Sequence, residues 1–325
     1  MKVLVTGGSG FIGTNVCDNL LRLGVPTLNL DIAAPRNAAH FAIWQRLDIC
    51  RADDLRQAVN GFQPDTVLHL AARTDLDGKS LQDYAANTRG VESMVDAALA
   101  CNAVRRVVFA SSRLVCKIGH APTDETDYCP TTAYGESKVA GEQIVRLRAA
   151  TAPWDWIQVR PTSIWGPWFG VPYKLFFDAV ARGRYMHPRG TNILKSFGFV
   201  GNTVQQLMAI AAAEKALIDR KTIYLADYPP IQVSRMAALI RQELGIGAGK
   251  EVPMAVLQGL ARIGDAAKAL GWKQPPLTSF RLANLVTPMV YDLTPLEVIA
   301  GKPPFDLADG VRQTVAWMRA HGHLA

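Results

Sequence analysis

The chain has 325 residues, of which 49% are apolar and 19% charged, and it carries a net charge of +7. This composition, without a low-complexity tract or an apolar run long enough to cross a bilayer, excludes a disordered, fibrous or membrane-spanning chain and predicts a globular one. The basic residues are scattered and not interleaved with aromatics, against nucleic-acid binding; Cys17, Cys50, Cys101, Cys116 and Cys129 lack Cys-x-x-Cys spacing, which argues for reduced thiols in a cytoplasmic protein.

In chain order, the apolar run Val3–Thr6 is followed by Gly7, Gly10 and Gly13 and by an apolar helical pattern over Phe11–Leu23. A pyrophosphate site demands that composition. Gly7 permits the tight strand-to-helix turn, Gly10 lets the phosphates approach the backbone, and Gly13 lets the helix pack closely on the strand. The helix N-terminus adds free N–H groups and the positive dipole end. The next run, Thr27–Leu30, ends in Asp31, where a carboxylate accepts hydrogen bonds from an adenosine ribose. Glycine turns are common, so the plain alternative is a tight turn without a ligand.

Further buried-strand patterns lie at Ile43–Leu47, Thr66–Leu70, Val107–Ala110 and Trp156–Val159, with helical patterns at Ala52–Val59, Leu81–Ala100 and Ala133–Arg148 between them. Continuous apolar strands separated by helices predict an α/β fold, a doubly wound parallel sheet covered on both faces, with its ligand beyond the carboxyl ends of the strands. Composition shifts after Arg160-Pro161. Residues 163–173 and 185–201 read as binding loops, Asn202–Ala213 and Ser234–Leu244 as helices, Thr222–Ala226 as a strand, and Val252–Trp272 as an amphipathic helix covering part of a pocket. We therefore expect a cofactor-binding domain over residues 1–165 and a smaller, mixed substrate-binding domain over 166–325, with residues 195–226 packing back on the first.

Tyr134 and Lys138 stand at i and i+4 on one helix face. A phenol acting as a base near neutral pH needs its pKa lowered from about 10, and a neighbouring ammonium does this. The pattern alone also fits an exposed helix pair. It gains weight from the run Val107–Ser112, a strand ending in hydroxyls that can reach the same substrate oxygen, although local capping is the ordinary role of one of Ser111 and Ser112. His69 reads as a satisfied core histidine. No histidine or cysteine spacing marks a metal site, Trp154, Trp156, Trp165 and Trp168 read as packing, and Asp124, Glu125 and Asp127 as a solvated turn.

With these motifs in hand, the chain resembles an extended short-chain dehydrogenase/reductase of the NAD-dependent nucleotide-sugar epimerase/dehydratase family. The matches run in order over about the first 170 residues: Thr6 to Gly13, Asp31, Leu47-Asp48-Ile49, His69 to Ala72, Asn87 to Gly90, Ala110-Ser111-Ser112, Tyr134 to Lys138, Arg160-Pro161 and Gly166-Pro167. The resemblance implies a Rossmann domain in which Gly7, Gly10, Phe11, Ile12 and Gly13 hold the pyrophosphate and Asp31 the adenosine ribose. Asp48 and Ile49 would flank adenine, and Leu70, Ala71 and Ala72 would line the cofactor path. Asn87 would lie beneath the nicotinamide ribose, and Pro161 and Ser163 would face the amide. It further implies Ser112, Tyr134 and Lys138 as the catalytic set, with Lys138 also binding the nicotinamide ribose, and substrate contacts from Thr74, Ser112, Arg113 and Lys195. The dehydratase subgroup carries a Thr-Asp-Glu cluster where this chain has Ser112-Arg113-Leu114, so dehydration is not expected.

The activity so implied is epimerisation of a nucleotide-diphosphate sugar, UDP-linked, at C4 through a transient keto-sugar with NAD as cofactor. A 4-keto-sugar reductase or hydroxysteroid-type dehydrogenase is the alternative within the same fold, and an idle NAD-sensing protein the alternative outside catalysis. The pair Leu81–Ala100 and Ala133–Arg148 resembles the helices with which family members form a dimer, so a homodimer is expected. Lys195 could instead be a solvated loop lysine. Asp31 favours NAD over NADP, with Arg36 nearby as the one contrary sign.

Overall fold

A computed structural model describes residues 1–171, 173–272 and 275–324. Six apolar runs of the first half become parallel strands: β1 (Val3–Thr6), β2 (Thr27–Asp31), β3 (Trp44–Arg46), β4 (Thr66–His69), β5 (Arg106–Ala110) and β6 (Asp155–Pro161). The helices between them are α1 (Phe11–Arg22), α2 (Ala52–Phe62), α3 (Arg89–Leu99) and α4 (Ala133–Arg148). The sheet has a seventh strand, Lys221–Leu225, and runs Lys221–Leu225, β6, β5, β4, β1, β2, β3 from edge to edge. All six pairings are parallel. This is the doubly wound Rossmann arrangement expected.

Such a sheet is stable because both faces are buried. On one side Val3, Val5 and Leu68 pack with Val16 and Leu20 of α1 and with Leu207 and Ile210 of a later helix, Val200–Ala212. On the other, Leu4, Val67 and Val107 pack with Leu55 and Val59 of α2, Met94 and Val95 of α3 and Val145 of α4. The chain leaves β1 for β2 and β3, then returns to lay β4 on the other side of β1. The order reverses between β1 and β4, the point at which sheets of this kind bind ligands beyond the carboxyl ends of their strands. The glycine turn, the loop after His69, Ser111-Ser112 and Pro161–Ser163 all leave the sheet at that edge.

The expected helix Leu81–Ala100 is two elements. A tight 3₁₀ segment over Leu81–Asn87 contains Tyr84 at φ −112°, ψ 39°, and α3 starts only after Thr88. The apolar spacing continues through the break, which is why the pattern read as one helix. In the C-terminal part, Trp165 is buried against Phe177 and Phe199 at 5.6 and 5.2 Å, and Trp168 lies 5.6 Å from Trp317. Both pack with other aromatics. The amphipathic segment forms a helix, Met254–Ala269, whose Leu257 and Ala261 meet Leu282 of a neighbouring helix, Ser279–Val286. Among the described residues no helix is long and apolar enough to cross a membrane.

Candidate active site

The glycine turn is built against its neighbours. Gly7 adopts φ +76°, and a Cβ there would stand 2.6 Å from the Ala71 nitrogen, so the turn and the loop after β4 touch backbone to backbone. A Cβ on Gly13 would lie 2.1 Å from the Gly7 carbonyl oxygen, which leaves α1 no room for a side chain. Gly10 differs: its Cβ would meet only the Gly7 oxygen, at 3.1 Å, and otherwise project into open space. Gly10 caps α1 without a side-chain hydrogen bond, so the first-turn amides, Phe11 and Ile12 among them, point out of the helix as free donors. A dinucleotide diphosphate fits this cradle: Gly10 leaves its approach open and the first-turn amides are available.

Asp31 ends β2 beside the turn. Its carboxylate accepts from the Ser9 and Ala33 amides at 3.0 and 2.9 Å. The sequence reading passed over Asn29, two residues earlier and wholly buried, whose amide donates to Ser9 Oγ at 3.2 Å and braces the turn from below. A polar residue inside the apolar run Thr27–Leu30 was the available signal. Arg36 donates to the Trp168 carbonyl at 2.7 Å, so its guanidinium is engaged away from Asp31. Asp48 caps the Cys50 amide at 2.9 Å and lines a groove beside β3, whereas Ile49 turns inward beneath Gly90.

Leu70 and Ala71 leave β4 with their amides on Thr6, the backbone oxygen and Oγ1 respectively, and Ala72 follows, half-buried. Asn87 is wholly buried and fully used: its Oδ1 accepts from the Arg73 amide, and its Nδ2 donates to the Arg73 carbonyl and to Ser137 Oγ, all within 3.0 Å. It clamps the loop after β4 to α4. Thr74 is exposed just beyond that clamp. Pro161 ends β6, and Ser163 is buried in the short strand Ser163–Trp165 that pairs with Phe197–Phe199.

Ser112, Tyr134 and Lys138 converge at the carboxyl edge of β5. Thr132 caps α4 by accepting from the Gly135 amide, which fixes Tyr134 in the first turn and Lys138 one turn on. Ser112 accepts from the Leu114 amide at 3.1 Å and lies near enough to the Tyr134 phenol to lower its pKa. Lys138 donates to the Ala110 carbonyl at 3.0 Å, with its ammonium 6.0 Å from the Tyr134 ring centre. Burial pushes the Tyr134 phenol up to about 12, partly offset by the Ser112 hydroxyl, and burial brings Lys138 down to about 8, partly offset by Glu142. The expected lysine-driven depression of the phenol is therefore corrected: desolvation outweighs it, because the ammonium binds a carbonyl and stands beside the ring.

Behind this set lies a buried network that the sequence reading missed. Arg160 and Glu142 form a bidentate ion pair at 2.8 and 2.7 Å, and Glu142 also accepts from Ser111 Oγ and the Tyr128 phenol. Ser111 thus braces the network while Ser112 faces the cleft. His69 bonds Thr6 Oγ1 through Nδ1 at 2.9 Å, but its buried Nε2 lacks a partner, so it is not fully satisfied. Burial, with Lys138 adding, lowers its pKa to about 3.

Two substrate candidates sit deep. Arg113 is 6% exposed and Lys195 1%. Lys195 donates to the carbonyls of Asn284 and Thr287 at the end of helix Ser279–Val286, so it is neither a solvated loop lysine nor free to reach a ligand unaided. Of the turn before α4, Glu125 pairs with Arg146 and Asp127 with His120 Nε2, so only Asp124 has the solvated character expected. Among the described residues, Cys116, His120 and Cys129 place ligand atoms within 4.8 Å of one another, the one grouping that could hold a metal ion.

The family model described as "NAD dependent epimerase/dehydratase family" matches residues 3–190. The chain is 28% identical to an N-acetyl-alpha-D-glucosaminyl-diphospho-ditrans,octacis-undecaprenol 4-epimerase of Escherichia coli O157:H7, over 98% of this chain and 96% of the relative. It is 27% identical to a 2-alkyl-3-oxoalkanoate reductase of Stenotrophomonas maltophilia, over 97% and 99%. A UDP-glucose 4-epimerase from Thermotoga maritima, solved with UDP-glucose, shares the fold with a TM-score of 0.75 at 19% identity, covering 99% of both chains. The matched segment spans the glycine turn, Asp31, Ser112, Tyr134 and Lys138, and the chain belongs to the NAD-dependent epimerase/dehydratase family of enzymes.

Proposed function

We propose that this enzyme epimerises a nucleotide-diphosphate sugar, UDP-linked, at C4 through a keto-sugar, with Ser112, Tyr134 and Lys138 as its catalytic residues. The observation that carries the reading is the convergence of Ser112, Tyr134 and Lys138 at the strand edge that also bears the glycine cradle, with the Lys138 ammonium 6.0 Å from the Tyr134 ring centre. Bound NAD supplies a hydride acceptor and a positively charged ring. Tyr134 takes the proton of the substrate hydroxyl and returns it, Ser112 holds the same oxygen, and Lys138 supplies positive charge that favours the phenolate. Burial is the main cause that holds the phenol up at about 12, so added positive charge is needed for the tyrosine to act as a base near neutral pH.

The cofactor contacts in this reading are Gly7, Gly10, Phe11, Ile12 and Gly13 at the diphosphate and Asp31 at the adenosine ribose. Asp48 and Ile49 serve the adenine end, with Leu70, Ala71, Ala72, Pro161 and Ser163 along the nicotinamide side. Residues 1–165 form the NAD domain and 166–325 the substrate domain, in a cytoplasmic homodimer joined through α3 and α4. The first curated relative acts, by its name, at C4 of a diphosphate-linked sugar, which supports the position of reaction. The second reading, a stoichiometric oxidoreductase, has support from the full-length reductase relative.

Purified enzyme incubated with UDP-glucose and other UDP-hexoses, without added cofactor, is expected to form the C4 epimer while the 340 nm absorbance stays constant. Accumulation of NADH in proportion to product would replace the epimerase reading with the oxidoreductase one.

A further inference from the structure

Two buried arginines border the site, and the fold treats them oppositely. Arg160 is 1% exposed and is met by the Glu142 carboxylate through two hydrogen bonds. Arg113 is 6% exposed and has no such partner. One of its terminal nitrogens contacts Met289 Sδ at 3.4 Å, its Nε has no hydrogen-bond partner, and the Tyr291 phenol lies beside it. Lys195 lies near enough for the Arg113 charge to add to the lowering of its pKa, and it donates only to carbonyls. Among the described residues neither Arg113 nor Lys195 takes part in an ion pair.

A guanidinium does not shed its proton, and a buried unpaired charge is costly. The chain neutralises that cost at Arg160 and leaves it open at Arg113, in the residue directly after Ser112. Arg113 opens the short helical turn that Ser112 caps, which sets it at the same carboxyl edge of β5 as Tyr134, and its charge lowers the phenol's pKa. An anion completing this corner would therefore lie near the reacting carbon. The diphosphate of a sugar nucleotide reacting at C4 sits across the sugar ring from that carbon. The planar fork of arginine matches a carboxylate through two parallel hydrogen bonds.

We propose that Arg113, backed by Lys195, receives a carboxylate of the substrate, borne next to the carbon whose hydroxyl faces Tyr134. The inference rests on the reading of Tyr134 as the acid/base. The substrate is then an acid. Within the nucleotide-sugar reading it is a hexuronate, whose C5 carboxylate neighbours C4. Within the oxidoreductase reading it is a 3-hydroxy or 3-oxo acid.

The test compares kcat/KM for UDP-glucuronate and UDP-glucose in the native enzyme, Arg113→Met and Arg113→Lys. The native enzyme is expected to prefer UDP-glucuronate at least tenfold, Arg113→Met to reduce that ratio at least tenfold, and Arg113→Lys to keep part of it. A native preference for UDP-glucose, or a ratio unmoved in Arg113→Met, overturns the proposal. If NAD stays bound but neither sugar nucleotide reacts, the nucleotide-sugar reading fails separately. The carboxylate is then tested with 3-hydroxyoctanoate and its methyl ester. NADH formed from the acid alone, and lost in Arg113→Met, supports the proposal; equal use of acid and ester, or use of neither, overturns it.

Discussion

Glu142 stands one helical turn beyond Lys138 and pairs in full burial with Arg160. Its negative charge holds the Lys138 ammonium's pKa up against the effect of burial. Removing it has two consequences with different readouts. Glu142→Gln leaves Arg160 charged and unpaired, which costs roughly 3–5 kcal/mol of stability in a urea or thermal unfolding experiment. The ionisation of Lys138, near 8 in the native enzyme, moves to lower pH, and the pH–rate inflection that it sets should follow. An inflection unmoved in a folded Glu142→Gln enzyme would restrict Glu142 to a structural role.

Tyr134 carries the proton chemistry in our reading, so its hydroxyl is separable from its ring. The ring packs edge-on against Tyr84 at 5.9 Å, and Tyr134→Phe preserves that contact. We expect kcat to fall by about 10²–10⁴-fold, while NAD binding measured by fluorescence quenching and the melting temperature stay near native values. A Tyr134→Phe enzyme that retains native turnover would remove the acid/base assignment and leave the NAD-sensing alternative standing.

The architecture was legible because a parallel sheet buried on both faces needs continuous apolar strands, and helices must return the chain between them. Each expected strand of the first half is present; β3 is shorter than expected, with only Trp44–Arg46 paired at the sheet edge. The break at Thr88 was hidden because apolar spacing persists across it. The glycine turn and the Tyr-x-x-x-Lys pair are local in sequence, so their spacing reveals them. The Arg160–Glu142 pair joins β6 to α4, and Lys195 meets carbonyls some ninety residues away; contacts of that range leave no local periodicity. Their one trace was a charged or polar residue in or at the end of an apolar run, as with Arg160 directly after Trp156–Val159 in β6, or Asn29 in β2.

The glycines of the turn differ in what they exclude, and substitution should separate them. A methyl at Gly13 meets the Gly7 carbonyl oxygen at 2.1 Å, which neither helix nor turn can absorb, so Gly13→Ala should lower the melting temperature or prevent folding. At Gly10 the added methyl has one contact at 3.1 Å and then points into the open cradle. Gly10→Ala should therefore fold normally but bind NAD at least about tenfold more weakly, since the phosphates need that approach. Native NAD affinity in Gly10→Ala, measured by calorimetry, would place the diphosphate elsewhere.

His69 provides a stability probe independent of substrate. Its ring is 1% exposed, and its pKa falls to about 3 from an ordinary 6.5, chiefly by burial. The unfolded chain takes up a proton as pH drops through 6.5, whereas the folded chain holds the ring neutral until about 3. Between those values the unfolded state binds more protons, so stability declines steadily with falling pH. His69→Asn removes the titrating group while keeping a polar atom near Thr6. The difference in unfolding free energy between native and His69→Asn proteins should thus shift in favour of the variant from pH 7 to pH 4.5. Parallel stability curves over that range would show that the ring becomes protonated inside the fold, with Nε2 finding an acceptor that the described structure does not give it.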